Sequence, residues 1–222
     1  MIINKKLKCG VRIVMEEIHY VQSVAIGIWV KTGSVDEIEE NSGISHFIEH
    51  MLFKGTEKRS AKKIAEDVDK IGGQINAFTG KEATCYYLKT LSNNIDKAAD
   101  ILADMFMSSK FDEDEMEKEK RVIYEEIKMI EDSPEDDAHD IISELIFKGD
   151  PLAKPIIGTP KSLQGITRES IRKYIEKEYT RDIIVVSVSG SFDQDHVCSL
   201  FDDIFSNLNA NKPAKSHAQI KY

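Results

Sequence analysis

The residues most able to do chemistry lie in one short run, His46-Phe47-Ile48-Glu49-His50. Residues four apart share a helical face, so His46 and His50 can offer ring nitrogens to a single ion. Neutral imidazole is a common zinc ligand, and a catalytic zinc takes three protein ligands while keeping a further position open. Glu49 adjoins the second histidine. A carboxylate there suits a hydrolase, which needs a base to take the proton from the water that attacks a carbonyl. The order His-x-x-Glu-His reverses the commoner His-Glu-x-x-His. The plainer alternative is a pair of histidines that merely flanks a buried stripe.

A third ligand should be another carboxylate or histidine. The stretch 112–131 offers Glu113, Glu115, Glu117, Glu119, Glu125, Glu126 and Glu131, and a charged helix is usually a solvated face. Glu119 and Glu126 are seven apart, hence on one face, close to Ile123, Ile127 and Ile130. That favours Glu126 without deciding it. His19, His139, His196 and His217 are scattered and are assigned no metal. Residues 132–137 read as an acidic turn and helix start, where acidic side chains favour the helix N-terminus.

These groups need a scaffold, and 222 residues can bury a sizeable core. Residues 11–15 and 21–32 read as two strands of a hairpin. Residues 44–53 have a helical period that presents the histidine run. Ser60 is expected to cap a helix with Ile64, Val68 and Ile71 on its buried stripe, stopped at Gly72-Gly73. Residues 74–79 and 83–90 form a second hairpin. Helices are expected over 95–107, 112–131 and 135–147, followed by a surface loop over 149–158. A helix over 168–178, a strong strand over 182–189, a helix over 195–208 and a polar tail from Asn209 complete the chain. This order predicts an α+β fold with a largely antiparallel sheet and helices packed on one face.

The formal net charge of −9 argues against nucleic acid and against an anionic membrane surface as partners. No run of apolar residues is long enough to span a bilayer. The opening Met1-Ile2-Ile3-Asn4-Lys5-Lys6 does not lead into the apolar core of a secretory signal, and no transit peptide is visible. Cys9, Cys85 and Cys198 are odd in number and far apart. A reducing, cytoplasmic setting is therefore expected, with Cys85 and Cys198 as small core residues.

Beyond the His46–His50 run, several segments occur in an order that resembles the pitrilysin, insulin-degrading enzyme and mitochondrial processing peptidase family of inverzincin zinc peptidases. They are Gly33-Ser34-Val35-Asp36-Glu37, Met51-Leu52-Phe53-Lys54-Gly55-Thr56, and Gly72-Gly73 with Asn76-Ala77-Phe78-Thr79. Arg121-Val122-Ile123-Tyr124-Glu125-Glu126-Ile127 and Pro151-Leu152 with Pro155-Ile156-Ile157-Gly158-Thr159 continue the match over nearly the whole chain. The loop reads Ala153-Lys154 where the family often has Gly-Arg.

The resemblance implies one Zn2+ per chain held by His46, His50 and Glu126, with Glu49 as general base. It implies that Glu119, though not a ligand, supports the catalytic site by orienting one of them. It also implies that Asn76, Ala77, Phe78 and Thr79 form an edge strand on which an extended peptide adds by β-augmentation. Family enzymes are built from two homologous halves that close like a clamshell. Residues 1–222 are expected to be a single domain matching the zinc-bearing first half, without the second half and its substrate-binding Arg and Tyr. The expected function is a zinc endopeptidase or oligopeptidase half whose partner is a second half, a partner subunit or another copy in a homodimer. The alternative is a non-catalytic or partner-dependent subunit of a two-subunit assembly.

Overall fold

In an extended chain successive side chains point to opposite faces, so the alternating Ile and Val of the strands collect on one side of a sheet. The computed structural model, which describes residues 2–210, forms that sheet from six strands. They are β1 (Ile2–Lys6), β2 (Arg12–Glu17), β3 (Ser23–Val30), β4 (Gln74–Thr79), β5 (Thr84–Leu91) and β6 (Ile184–Gly190). Their spatial order is β1-β2-β6-β3-β5-β4, and every neighbouring pair is antiparallel except β2 and β6. Ile13, Met15, Ile26, Ile28, Tyr86, Leu88, Val186 and Val188 are buried on one face of this sheet.

The helices are α1 (Ile44–Leu52), α2 (Ala61–Lys70), α3 (Ile95–Ser108), α4 (Glu113–Glu131), α5 (Pro134–Ile146), α6 (Pro160–Gly165), α7 (Arg168–Glu178) and α8 (Gln194–Ile204). They cover the apolar face with Phe47, Ile48 and Met51 of α1, Ile64 and Val68 of α2, and Leu102 and Met105 of α3. Ser60 caps α2 by accepting the Lys63 amide, and Asp112 caps α4 by accepting the amides of Asp114 and Glu115.

One expected pairing is corrected. The strands read at 11–15 and 21–32 do not form a hairpin, because β6 lies between β2 and β3, parallel to the first and antiparallel to the second. Alternation says which face a side chain occupies, not which strand lies alongside. The insertion suits β6, whose Ile184, Val186 and Val188 are buried while Val185 is only half-buried. Two elements were not anticipated. β1 is a sheet edge carrying Lys5 and Lys6, charges of the kind that protect an edge from further pairing. The short α6 is opened by a capping box of Thr159 and Ser162. His217 and the tail beyond residue 210 lie outside the described residues.

Candidate metal centre and active site

Helix α1 carries His46, Glu49 and His50, and its position is set at its first turn. Glu37 is buried and its carboxylate accepts the amides of Gly43 at 2.6 Å and Ser45 at 2.9 Å, satisfying donors that a helix N-terminus leaves free. Burial pushes Glu37 up to about 7, although these hydrogen bonds and the Lys154 charge work the other way. The Lys154 ammonium donates to the Glu37 carbonyl at 2.5 Å. Gly43 (φ +88°) and Gly158 (φ +79°) meet backbone to backbone. A Cβ on Gly43 would lie 2.5 Å from the Ile157 carbonyl oxygen, and one on Gly158 would lie 2.4 Å from that of Ser42. The 149–158 loop is thereby packed on the start of the histidine helix.

Across from α1 runs α4, and the two helices bring His46, His50 and Glu126 together. His46 Nε2 lies 3.9 Å from Glu126 Oε1, and His50 Nε2 lies 3.7 Å from Glu126 Oε2. One ligand atom from each of the three residues can be chosen so that all lie within 4.8 Å of one another. These separations are too long for hydrogen bonds. They suit an ion held between the groups, since zinc bonds of about 2.0–2.2 Å in a tetrahedron separate ligand atoms by about 3.4 Å. The donor set of two imidazoles and a carboxylate therefore fits Zn2+.

The state of His46 and the orientation of His50 agree with that fit. Burial, helped by the nearby His50 charge, lowers His46 to about 4, so its ring is neutral and able to ligate. His50 Nδ1 is 2.8 Å from Glu119 Oε1, and a carboxylate partner there directs the proton to Nδ1 and leaves Nε2 facing Glu126. Burial works against a charged His50 ring, but Glu119, Glu126 and Glu49 outweigh it and raise its pKa. Glu119 is nearly buried and also meets Lys54 Nζ at 2.5 Å. Burial would raise Glu119, yet His50 and Lys54 together hold it below the ordinary carboxylate range. Glu49 projects from the same helix, and its Oε2 accepts a hydrogen bond from the Thr79 hydroxyl at 2.5 Å. Burial raises the Glu49 pKa; Thr79 and His50 oppose the rise, and Glu126 adds to it.

His46, Glu49 and Glu126 line a cleft of about 400 Å³. Ala77, Phe78 and Thr79 form one wall. They lie on β4, which ends the sheet, so its outer edge is unpaired among the described residues. Asn76 is exposed, and its side-chain oxygen accepts the Ala77 amide at 2.9 Å, so that amide is directed away from β5. The Phe78 ring is half-exposed and packs edge-on against Trp29 with centroids 5.5 Å apart. Sequence reasoning missed the opposite wall, made by Ile130, Asp136, His139, Asp140, Ile156 and Ile157. The available signal was the short link from Glu131 to Pro134, which turns α5 back beside Glu126. Another was the helical spacing of Asp136, His139 and Asp140, which puts all three on one face of α5.

A family profile described as Insulinase (Peptidase family M16) matches residues 12–160, and one described as Peptidase M16 inactive domain matches residues 165–221. The chain belongs to peptidase family M16. It is 52% identical over 189 residues to "Uncharacterized zinc protease YmxG" of Bacillus subtilis, an alignment covering 84% of this chain and 46% of that protein. It is 45% identical over 203 residues to an "Uncharacterized zinc protease" of Rickettsia felis, covering 91% and 49%. Among solved structures, a protease from Helicobacter pylori superposes with TM-score 0.88 at 27% identity, covering 99% of this chain and 53% of that one. Pitrilysin superposes with TM-score 0.86 at 21% identity, covering 99% and 24%, a likeness of fold. The chain thus spans about half the length of the curated M16 relatives it matches. No described helix is long and apolar enough to cross a membrane.

Proposed function

We propose that the chain is the zinc-bearing half of an M16 peptidase that hydrolyses peptides held in extended form along β4. The observation that carries this reading is the convergence of His46, His50 and Glu126 next to Glu49, in a cleft whose wall is a free sheet edge. Zinc held there would polarise the scissile carbonyl and make a water more acidic. Glu49, half-desolvated and within the same cleft, takes the proton of the attacking water and delivers it to the leaving amine. Glu119 keeps the His50 ring in the tautomer that ligates. A peptide adding to β4 gains main-chain hydrogen bonds with little sequence readout, while Phe78, Ile156 and Ile157 offer apolar contact. Asp136 and Asp140 line the cleft too, which favours basic side chains near the scissile bond.

The single domain works with a homologous second half, on the same chain or as a partner or second copy, because one open wall neither excludes water nor fixes a peptide. Its three free cysteines suit a reducing compartment, and the reading places it in the cytoplasm. The test is Glu49→Gln: hydrolysis is lost while zinc is retained, and a variant with full turnover contradicts the mechanism. The relatives' extra length favours a second reading, in which the chain binds zinc but cleaves only in the assembled pair. Assaying the chain with and without the second half separates the two.

A further inference from the structure

The geometry points to Thr79 as the positioning residue for Glu49, a role carried by its hydroxyl and separate from the main-chain contacts of β4 with a peptide. The inference rests on the peptidase reading above, in which Glu49 is the base. A carboxylate on a helix can rotate about three side-chain bonds, and a base is useful only when one oxygen faces the reacting water. Thr79 Oγ1 donates to Glu49 Oε2 at 2.5 Å, which occupies that oxygen and leaves Oε1 for the cleft. Among the described residues this is the one side-chain hydrogen bond that Glu49 makes.

The anchor itself is stiff. Thr79 is β-branched, which limits its χ1 rotamers. It ends β4 in register with Thr84 of β5, and the Thr84 hydroxyl donates to the Thr32 carbonyl at 3.0 Å, tying the hairpin end to the sheet. The strand that would receive a peptide therefore also holds the base, so ordering β4 by substrate orders Glu49 as well. No buried tyrosine substitutes for this contact: the Tyr86 and Tyr179 hydroxyls pair with each other at 3.1 Å, and Tyr174 meets Ser45 and Thr32.

Thr79→Val keeps the shape and strand preference of the side chain and removes only the donor, while Thr79→Ser restores the donor. The first readout needs no turnover. Carbon-13 carboxyl NMR of the purified full chain, with the Glu49 resonance assigned by Glu49→Gln, shows a displaced resonance in Thr79→Val and a wild-type position in Thr79→Ser. The second is kinetic, in whichever assembly of the chain cleaves peptide. Thr79→Val lowers kcat by at least about tenfold, the scale of a lost hydrogen bond to a charged group. KM stays within about twofold and zinc content is unchanged. Thr79→Ser recovers most of kcat.

An unmoved resonance with wild-type kcat in Thr79→Val overturns the inference, as does a loss that Thr79→Ser fails to recover. A loss confined to KM also overturns it, because Thr79 would then serve peptide binding. If Thr79→Val does not fold, Thr79→Ala against Thr79→Ser gives the same comparison. Full turnover in Glu49→Gln would refute the peptidase reading beneath, whereas an inactive Glu49→Gln beside an unaffected Thr79→Val would refute only the role of Thr79.

Discussion

Glu119→Gln is the most informative single change in the site, because it keeps volume and removes only charge and one acceptor. The carboxylate uses both oxygens: Oε1 faces His50 Nδ1 at 2.8 Å and Oε2 faces Lys54 Nζ at 2.5 Å. An amide has one acceptor and one donor end, so either orientation sets NH2 against an existing donor. Loss of a partner that orients a ligating histidine typically weakens metal binding by about 10–100-fold, or about 1.4–2.8 kcal/mol. The pH dependence gives a second check. With its pKa raised, His50 gives up a proton when zinc binds near neutrality, and it does so less in a variant without the Glu119 charge. The affinity gap between wild type and variant is therefore widest near about pH 8 and narrows towards about pH 6. Competition against a chromophoric zinc chelator measures both on the chain itself. Equal affinity at about pH 8 would refute the claim that Glu119 holds His50 for the metal.

Further predictions follow from the same contacts. Arg59 spans Asp67, Asp100 and the buried Asp104 at 3.3, 2.5 and 2.7 Å, joining the segment after α1 to α2 and α3. Arg59→Met leaves the buried Asp104 charge with only the Thr56 hydroxyl as partner and costs about 3 kcal/mol of stability; a loss below about 1 kcal/mol in urea unfolding argues against it. Glu37 is raised by burial to about 7 in the folded protein, from 4.5. The folded state then holds this proton more tightly than the unfolded chain does. Its contribution is fully present below about pH 4.5 and falls by about 3 kcal/mol as pH rises through about 7. Glu37→Gln flattens that part of the stability profile, and an unchanged slope in the variant contradicts the assignment.

Much of the site could be read from residue order because its parts are local. His46, Glu49 and His50 sit on one helix, where spacing alone sets their relation, and Glu119 and Glu126 share one face of α4 for the same reason. The tie between the two helices is tertiary, and neither spacing specified it. The β4–β5 hairpin was legible because its turn is short. The neighbours of β2 were not, since β6 arrives from far along the chain and the choice depends on how all six strands close. The far wall of the cleft stayed hidden for a related reason. Asp136, His139 and Asp140 look like a solvated helix start until α5 folds back on α4, and Ile156 and Ile157 look like loop residues until Gly43 and Gly158 bring the loop against α1. The Thr79–Glu49 contact joins a strand end to a helix, which no periodicity reports.

Zinc stoichiometry is the measurement closest to the central claim. Elemental analysis of the purified chain, beside His50→Ala and Glu126→Ala, should give one equivalent of zinc in the wild type and little in either variant. Wild-type chain without zinc, or zinc that persists in both variants, would contradict a centre built from His46, His50 and Glu126.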